Sequence, residues 1–178
     1  MNPLDIIAKY YPVGSEAYRI LVIHSRSVAD KALAIARMHP EMNLDLTFVE
    51  EAAMLHDIGI FRCNAPDIDC HGDAEYICHG YLGAELMRAE GYPRHARVCE
   101  RHTGTGITLA MIEERGLPLP HRDFMPETLE EQLICYADKF YSKTKLDKEK
   151  SVEKQGLSKY GNETVERFDN WCKLFLGE

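Results

Sequence analysis

Several features that define other classes of protein are missing from this sequence of 178 residues. None of its six cysteines forms a Cys-x-x-Cys pair, which excludes a zinc ribbon and a thioredoxin-like motif. No apolar run approaches the roughly 18–20 residues of a membrane span. Asp5 and Lys9 also interrupt the early apolar run that a signal peptide requires. We therefore expect a cytoplasmic protein with reduced thiols and no membrane partner.

Basic residues are too few for a nucleic-acid-binding surface, since the formal net charge is −8 with histidine neutral. A nucleic-acid polymer is therefore not expected as a partner. A small anionic substrate is still compatible with this charge, because one or two bound dications would reverse the local field inside a site.

Strand patterns are nearly absent, whereas apolar residues recur at helical spacing from end to end. We therefore predict an all-α fold, a single-domain helical bundle of about six or more helices. The single domain covers residues 1–178, with a core from about 15 to 145 and a helical C-terminal extension from 150 to 178. The predicted helices cover about 3–10, 16–38, 48–58, 78–90, 93–102, 107–114 and 126–143, and a last helix follows Gly161-Asn162.

The sequence also predicts the structural role of two segments outside these helices. Residues 60–77 are irregular, as expected of a lid or substrate loop. Lys143 to Lys154 is a mostly charged stretch of mixed sign, which indicates a solvated surface or linker. The apolar face of the last helix, which contains Phe168 and Trp171, is either core or a dimer contact, so a homodimer is an open alternative.

The stretch Leu55-His56-Asp57-Ile58-Gly59 is the most informative in the sequence. A nearly apolar helix, with Thr47 as its expected N-cap, leads into an adjacent His-Asp pair. Gly59 suits the left-handed residue that ends a helix. Adjacent residues inside a helix point about 100° apart, but at a helix end both His56 and Asp57 can turn into one cavity. An apolar helix end has no packing reason to accept a carboxylate, so we predict two metal ligands.

Other polar residues complete a predicted metal site. His24 lies on the apolar face of its helix, and Asp138 lies at the edge of a buried helix face. Together with the His-Asp pair they make four ligands from three helices, a set that suits divalent Fe, Mn, Ni, Co, Zn or Mg. His79 and His102 could complete a second position with Asp57 bridging, although His71 is a rival. We predict one or two metal ions.

These residues resemble the HD superfamily of metal-dependent phosphohydrolases, in its HDIG-type form. The resemblance rests on His24, on the His-Asp doublet, and on Asp138 within Tyr136-Ala137-Asp138-Lys139. His79-Gly80 and Arg101-His102-Thr103-Gly104 resemble the additional histidines of its binuclear members, such as the bacterial diadenosine tetraphosphate hydrolases. The resemblance runs from about Arg19 to Tyr141. A lone His-Asp pair would be weak, whereas this ordered set is specific.

The resemblance implies hydrolysis of a phosphate ester, with a nucleotide as the expected small phosphorylated substrate. A metal-activated hydroxide would attack phosphorus, and Asp57 would bridge or position the metals. Two alternatives are open. A di-iron HD-domain oxygenase would use the same ligands and would consume oxygen. A non-catalytic nucleotide-binding regulatory domain would bind nucleotide tightly without turnover.

The sequence departs from the family pattern at Ile60. Many relatives carry Lys or His directly after the Ile-Gly or Leu-Gly, where a basic side chain can contact substrate. Arg26 or Arg62 could supply this charge, and we assign them as catalytic residues beside Asp57. Arg101 is adjacent to a predicted ligand, and Lys139 is expected to be solvated.

Overall fold

Eight α-helices and one short hairpin form the part of the chain that the computed structural model describes, residues 1–151 and 157–177. The predicted all-α fold is therefore confirmed. The helices are α1 (Pro3–Tyr10), α2 (Glu16–Met38), α3 (Leu46–Leu55), α4 (His79–Ala89), α5 (Pro93–Glu100), α6 (Leu109–Arg115), α7 (Leu129–Asp138) and α8 (Asn162–Leu176). The hairpin pairs β1 (Asn64–Ala65) with β2 (Cys70–His71) in antiparallel orientation. None of these helices combines the length and the apolar character that a membrane span requires.

The helix that leads to the His-Asp pair begins two residues earlier than the sequence predicted. Asp45 is its N-cap, because the Asp45 carboxylate accepts a hydrogen bond from the Phe48 amide at 3.0 Å. The assignment of Thr47 as the cap was therefore wrong. The helix ends at Leu55, and a 3₁₀ turn follows over Ile58–Arg62.

Gly59 lies in this 3₁₀ turn and does not adopt the predicted left-handed conformation. Close packing explains why this position holds a glycine. A Cβ here would overlap the carbonyl oxygen of His79 and the backbone nitrogen of Gly83, both in α4. Gly59 therefore allows α4 to approach the turn that carries the His-Asp pair.

The predicted helix over 126–143 is shorter at both ends. It begins after Thr128, whose hydroxyl accepts a hydrogen bond from the Glu131 amide at 3.1 Å, and it ends at Asp138. The Lys139 amide then bonds to the Tyr136 carbonyl at 3.1 Å, which tightens the last turn. The chain beyond this turn brings Lys143 to the site, so its predicted exposure was wrong.

The predicted charged stretch and C-terminal extension are described only in part, since residues 152–156 and 178 lie outside the described residues. The last helix, α8, buries Phe168, Trp171, Cys172 and Phe175. These side chains pack in a cluster with residues of α2, α3 and α7. The apolar face of α8 is therefore part of the core, and the homodimer stays a prediction.

Two large hydrophobic clusters meet where the predicted ligands lie. The first packs the C-terminal half of α2 with α3, α7 and α8, and the second packs its N-terminal half with α1, α4 and α5. On α2, His24 lies between Leu21 of the second cluster and Val28 of the first. Met54 of the first cluster and Leu55 of the second directly precede the His-Asp pair. The polar side chains therefore project into the junction between two cores.

Candidate metal centre

Six side chains that the sequence predicted as metal ligands come together in this junction. Five are at most 6% exposed, and the sixth, Asp138, is 13% exposed. They come from α2, from the turn after α3, from the start of α4, from the segment just after α5 and from the end of α7: His24, His56, Asp57, His79, His102 and Asp138.

Asp57 is the centre of the cluster, and its two carboxylate oxygens face two different pairs of histidines. Oδ2 lies 3.2 Å from His24 Nε2 and 3.1 Å from His56 Nε2. Oδ1 lies 3.3 Å from His79 Nε2 and 3.1 Å from His102 Nε2. Asp57 is therefore placed to bridge two neighbouring metal positions.

Asp138 completes the first of the two positions. Its Oδ1 lies 3.0 Å from His24 Nε2 and 3.2 Å from His56 Nε2. In each position the ligand atoms lie within 4.8 Å of one another. We call these the first group (His24, His56, Asp57 and Asp138) and the second group (Asp57, His79 and His102).

The same local hydrogen bond orients three of the rings. Nδ1 of His56, His79 and His102 each lies 2.6 Å from the backbone carbonyl oxygen three residues earlier. A carbonyl oxygen only accepts, so Nδ1 carries the proton and Nε2 of the neutral ring carries a lone pair. Each Nε2 thus faces Asp57 as a potential metal ligand, oriented by its backbone partner.

Without a cation, two of these ring nitrogens face each other. Nε2 of His79 and Nε2 of His102 lie 2.9 Å apart. Neither oxygen of Asp57 accepts a well-aligned hydrogen bond, and Nδ1 of His24 has no partner among the described residues. Buried polar atoms are normally paired, and imidazole and carboxylate ligands suit divalent metals. The residues therefore fit one cation in each group.

The buried carboxylates also make the cluster attractive to positive charge. Burial lowers the pKa of His56, but Asp57 and Asp138 outweigh burial and raise this pKa to about 10. At His102 burial dominates and lowers the pKa to about 4. Burial raises the pKa of Asp57, yet the charges of His56 and Lys143 hold it well below 3.8. A bound cation would take the place of the His56 proton.

Two lysines that the sequence predicted to be exposed to solvent lie against the cluster. Lys139 Nζ lies 2.7 Å from Asp138 Oδ2 and donates to the His102 carbonyl oxygen at 2.8 Å. Lys143 Nζ lies 2.8 Å from Asp57 Oδ2. Their side chains are only 10% and 15% exposed. Both lysines follow Asp138 closely in sequence, at one and five residues after it. The prediction that α7 continues to residue 143 did not bring them to the cluster.

The structure does not bring Arg26 or Arg62 into the cluster. The Arg26 guanidinium pairs with Asp30 at 2.9 Å and with Glu50 at 3.0 Å, and Arg62 is exposed. Ile60 is completely buried in the second hydrophobic cluster, so it faces core rather than substrate. The catalytic roles of the two arginines stay predictions, and these contacts do not favour them.

The other candidate residues lie outside the cluster. His71 is 67% exposed and lies 2.9 Å from Asp69, so it does not compete for the second group. Cys63, Cys70 and Cys78 are buried thiols that donate to backbone carbonyls, and neither group of ligands includes a cysteine.

A buried ion-pair network holds α5 against α7 next to a ligand. Glu131 is 2% exposed and accepts from Arg97 at 2.9 Å and from Arg101, the neighbour of His102, at 3.1 Å. Burial raises the pKa of Glu131, but Arg97 and the Glu127 amide outweigh burial and leave it below 4.5. The network helps to fix the position of His102.

Two open cavities adjoin the cluster. The first, of about 610 Å³, is lined by Tyr76 and Lys143 among others, and we call it the Lys143 cavity. The second, of about 180 Å³, is lined by Asp138 and Lys139 among others, and we call it the Asp138 cavity. The Tyr76 ring stacks on His79, with centroids 4.5 Å apart. Of the six ligands, Asp138 thus lines one of these cavities, and Lys143, which contacts Asp57, lines the other.

Comparison with known families agrees with this geometry. The model of the HD domain family matches residues 21–142. This region contains all six clustered ligands, and the chain belongs to the HD domain family. The fold is therefore one that typically supports metal-dependent hydrolysis, and the buried His/Asp cluster is compatible with an HD metal site.

Three relatives give further context. The chain is 37% identical to the uncharacterized protein MJ0778 of Methanocaldococcus jannaschii, over 70% of this chain and 68% of that protein. It is also similar to two proteins named tRNA (cytidine(56)-2'-O)-methyltransferase. Identity is 32% with that of Thermoplasma volcanium, over 98% of this chain, and 31% with that of Picrophilus torridus, over 82%. The chain spans only 47% and 37% of these two proteins. No solved structure matches significantly.

Proposed function

We propose that this chain is a metal-dependent phosphohydrolase that acts on a small phosphate ester, with a nucleotide as the expected substrate. The observation that carries the proposal is the paired ligand cluster with Asp57 shared between its two groups. This cluster adjoins open cavities whose walls carry lysine side chains. Such walls favour an anionic substrate over a neutral one.

The roles of the residues follow from their positions. The first group would hold one divalent cation and the second group would hold the other, with Asp57 common to both. When bound, the cations supply Lewis acidity that activates water and neutralises charge on a phosphoryl oxygen.

The nearby lysines have separate roles in this proposal. Lys143 reaches the cluster from the cavity wall, so its ammonium group is placed to donate to a phosphoryl oxygen. Lys139 instead orients Asp138 and the backbone of His102, because it bonds to both.

The names of two relatives suggest tRNA methylation as a second candidate function. Those proteins are more than twice as long as the segment that this chain matches, so their named activity belongs to a larger molecule. The net charge of −8 does not favour a tRNA-binding surface. Incubation with tRNA and a methyl donor should give no 2'-O-methylated product, and methylation would favour this candidate instead.

The first test of hydrolysis is elemental analysis, followed by phosphate release from a nucleotide panel with Mn, Fe, Co, Ni, Zn and Mg. Asp57→Asn should lose both bound metal and activity, by about 100-fold or more in rate, because it removes the shared ligand. Asp30→Asn, on the exposed face of α2, is the matched control and should keep both. Full activity in Asp57→Asn would contradict the proposal. Oxygen consumption by an iron-loaded protein without phosphate release would favour the oxygenase alternative.

A further inference from the structure

Two lysines outside the metal cluster are shared by the cavities that adjoin it. Lys150 and Lys159 line both the Lys143 cavity and the Asp138 cavity. One cavity is bounded by Lys143, which contacts Asp57, and the other is bounded by Asp138 itself. The pair therefore lies beside the cluster, in the walls of both cavities.

No carboxylate among the described residues forms an ion pair with this lysine pair. The Lys159 ammonium lies 5.1 Å from the centroid of the Tyr160 ring. Glu149, the sequence neighbour of Lys150, pairs instead with Lys31. Lys139 and Lys143 differ in this respect, because each has a carboxylate partner in the cluster.

Lys150 lies close enough to three other lysines for their charges to lower its pKa. Burial is the main cause that lowers this pKa, the charge of Asp138 raises it, and the charges of Lys139, Lys143 and Lys159 lower it. Three ammonium groups therefore act on that of Lys150. A bound anion would relieve their repulsion.

We propose that Lys150 and Lys159 form a second anion site, and that the substrate carries two phosphate groups. The inference rests on the proposed function for the first phosphate, which would lie at the metal cluster. The second phosphate would lie between the two lysines at the shared wall of the cavities. Because the cavities hold about 610 and 180 Å³, the substrate class is a small molecule, such as a nucleoside bisphosphate or diphosphate.

Matched substrates that differ by one phosphate test this inference. The double variant Lys150→Ala/Lys159→Ala should lose about tenfold or more in kcat/KM toward adenosine 3',5'-bisphosphate or diphosphate, mainly through KM, because it loses charge-assisted phosphate contacts. Its kcat/KM toward adenosine 5'-monophosphate should stay within about twofold. Lys148→Ala is the control, since Lys148 is exposed and lines neither cavity. Equal loss on both kinds of substrate would overturn the second site.

A binding measurement separates failure of this inference from failure of the proposed function. Calorimetric titration of the purified protein with inorganic pyrophosphate should show binding that weakens with added salt. The double variant should bind pyrophosphate about tenfold more weakly, whereas the Lys148→Ala control should bind it like the wild type. Unchanged pyrophosphate binding would overturn the inference even if the protein is a hydrolase. Weakened binding with no turnover of any ester would retain the anion site and reject the hydrolase.

Discussion

Tyr11→Phe should loosen the turn that carries the His-Asp pair, although Tyr11 lies outside the part of the chain that matches the family. The Tyr11 ring is buried, with 1% exposure. Its hydroxyl donates to the Ile58 carbonyl oxygen at 2.7 Å and accepts from the Phe61 amide at 3.1 Å. One hydroxyl thereby holds both ends of the turn that directly follows Asp57.

The cost follows from the two backbone groups that would lose their partner. A buried polar group left without a hydrogen bond costs about 1–3 kcal/mol. Ile58 is fully buried, whereas Phe61 is partly exposed. Water can therefore compensate in part for the hydrogen bond that the Phe61 amide loses. We expect a loss of roughly 2–3 kcal/mol in the free energy of unfolding. For a domain of this size, that corresponds to a fall in Tm of about 4–12 °C.

The assay is urea and thermal unfolding with a chelator present, so that bound metal does not contribute. Tyr10→Phe is the matched control, because among the described residues the Tyr10 hydroxyl bonds to the Glu90 carboxylate, which also pairs with Lys9, and its loss should cost less than about 1 kcal/mol. Repeating the unfolding with Mn²⁺ should show a smaller stabilisation by metal in Tyr11→Phe than in the wild type, since the displaced turn carries Asp57. Equal stability of the two variants, within about 0.5 kcal/mol, would refute the reasoning.

Two other outcomes are expected. His79→Ala should lower bound metal from two ions to one per chain in elemental analysis, because the second group loses a ligand while the first keeps all four; retention of two ions would reject the second position. Glu131→Gln should destabilise the protein by about 2–4 kcal/mol at pH 7, against less than about 1 kcal/mol for the exposed control Glu127→Gln. Because the folded pKa of Glu131 is below 4.5, this difference should be complete above pH 4.5 and shrink as the pH falls through the folded value. A pH-independent difference would contradict this assignment.

Local chemistry was enough to predict most helix boundaries to within two residues. Ser15 caps α2, since its hydroxyl accepts from the Tyr18 amide at 3.2 Å, and Gly116 ends α6 in the left-handed conformation. These interactions lie within a few residues of sequence, so a pattern reveals them. The prediction of Thr47 as an N-cap was wrong because Asp45 is an equally local alternative, and the sequence pattern does not distinguish the two.

The sequence also determined which residues assemble into the cluster. Histidine and carboxylate residues at helix ends and on apolar faces have few reasons to be buried other than a shared cation. The ordered set from His24 to Asp138 was therefore recognisable without coordinates. Its assembly at the junction of two hydrophobic clusters agrees with that interpretation.

Only the tertiary structure decided which charges face the cluster and why Gly59 is small. Lys143 meets Asp57 across 86 residues of chain because α7 ends at Asp138, and a short-range pattern carries no record of such a pairing. The Cβ that Gly59 lacks would overlap α4, a helix that begins twenty residues later. Residue types thus determined the metal-binding chemistry, whereas packing between distant segments determined the positive charge that surrounds it.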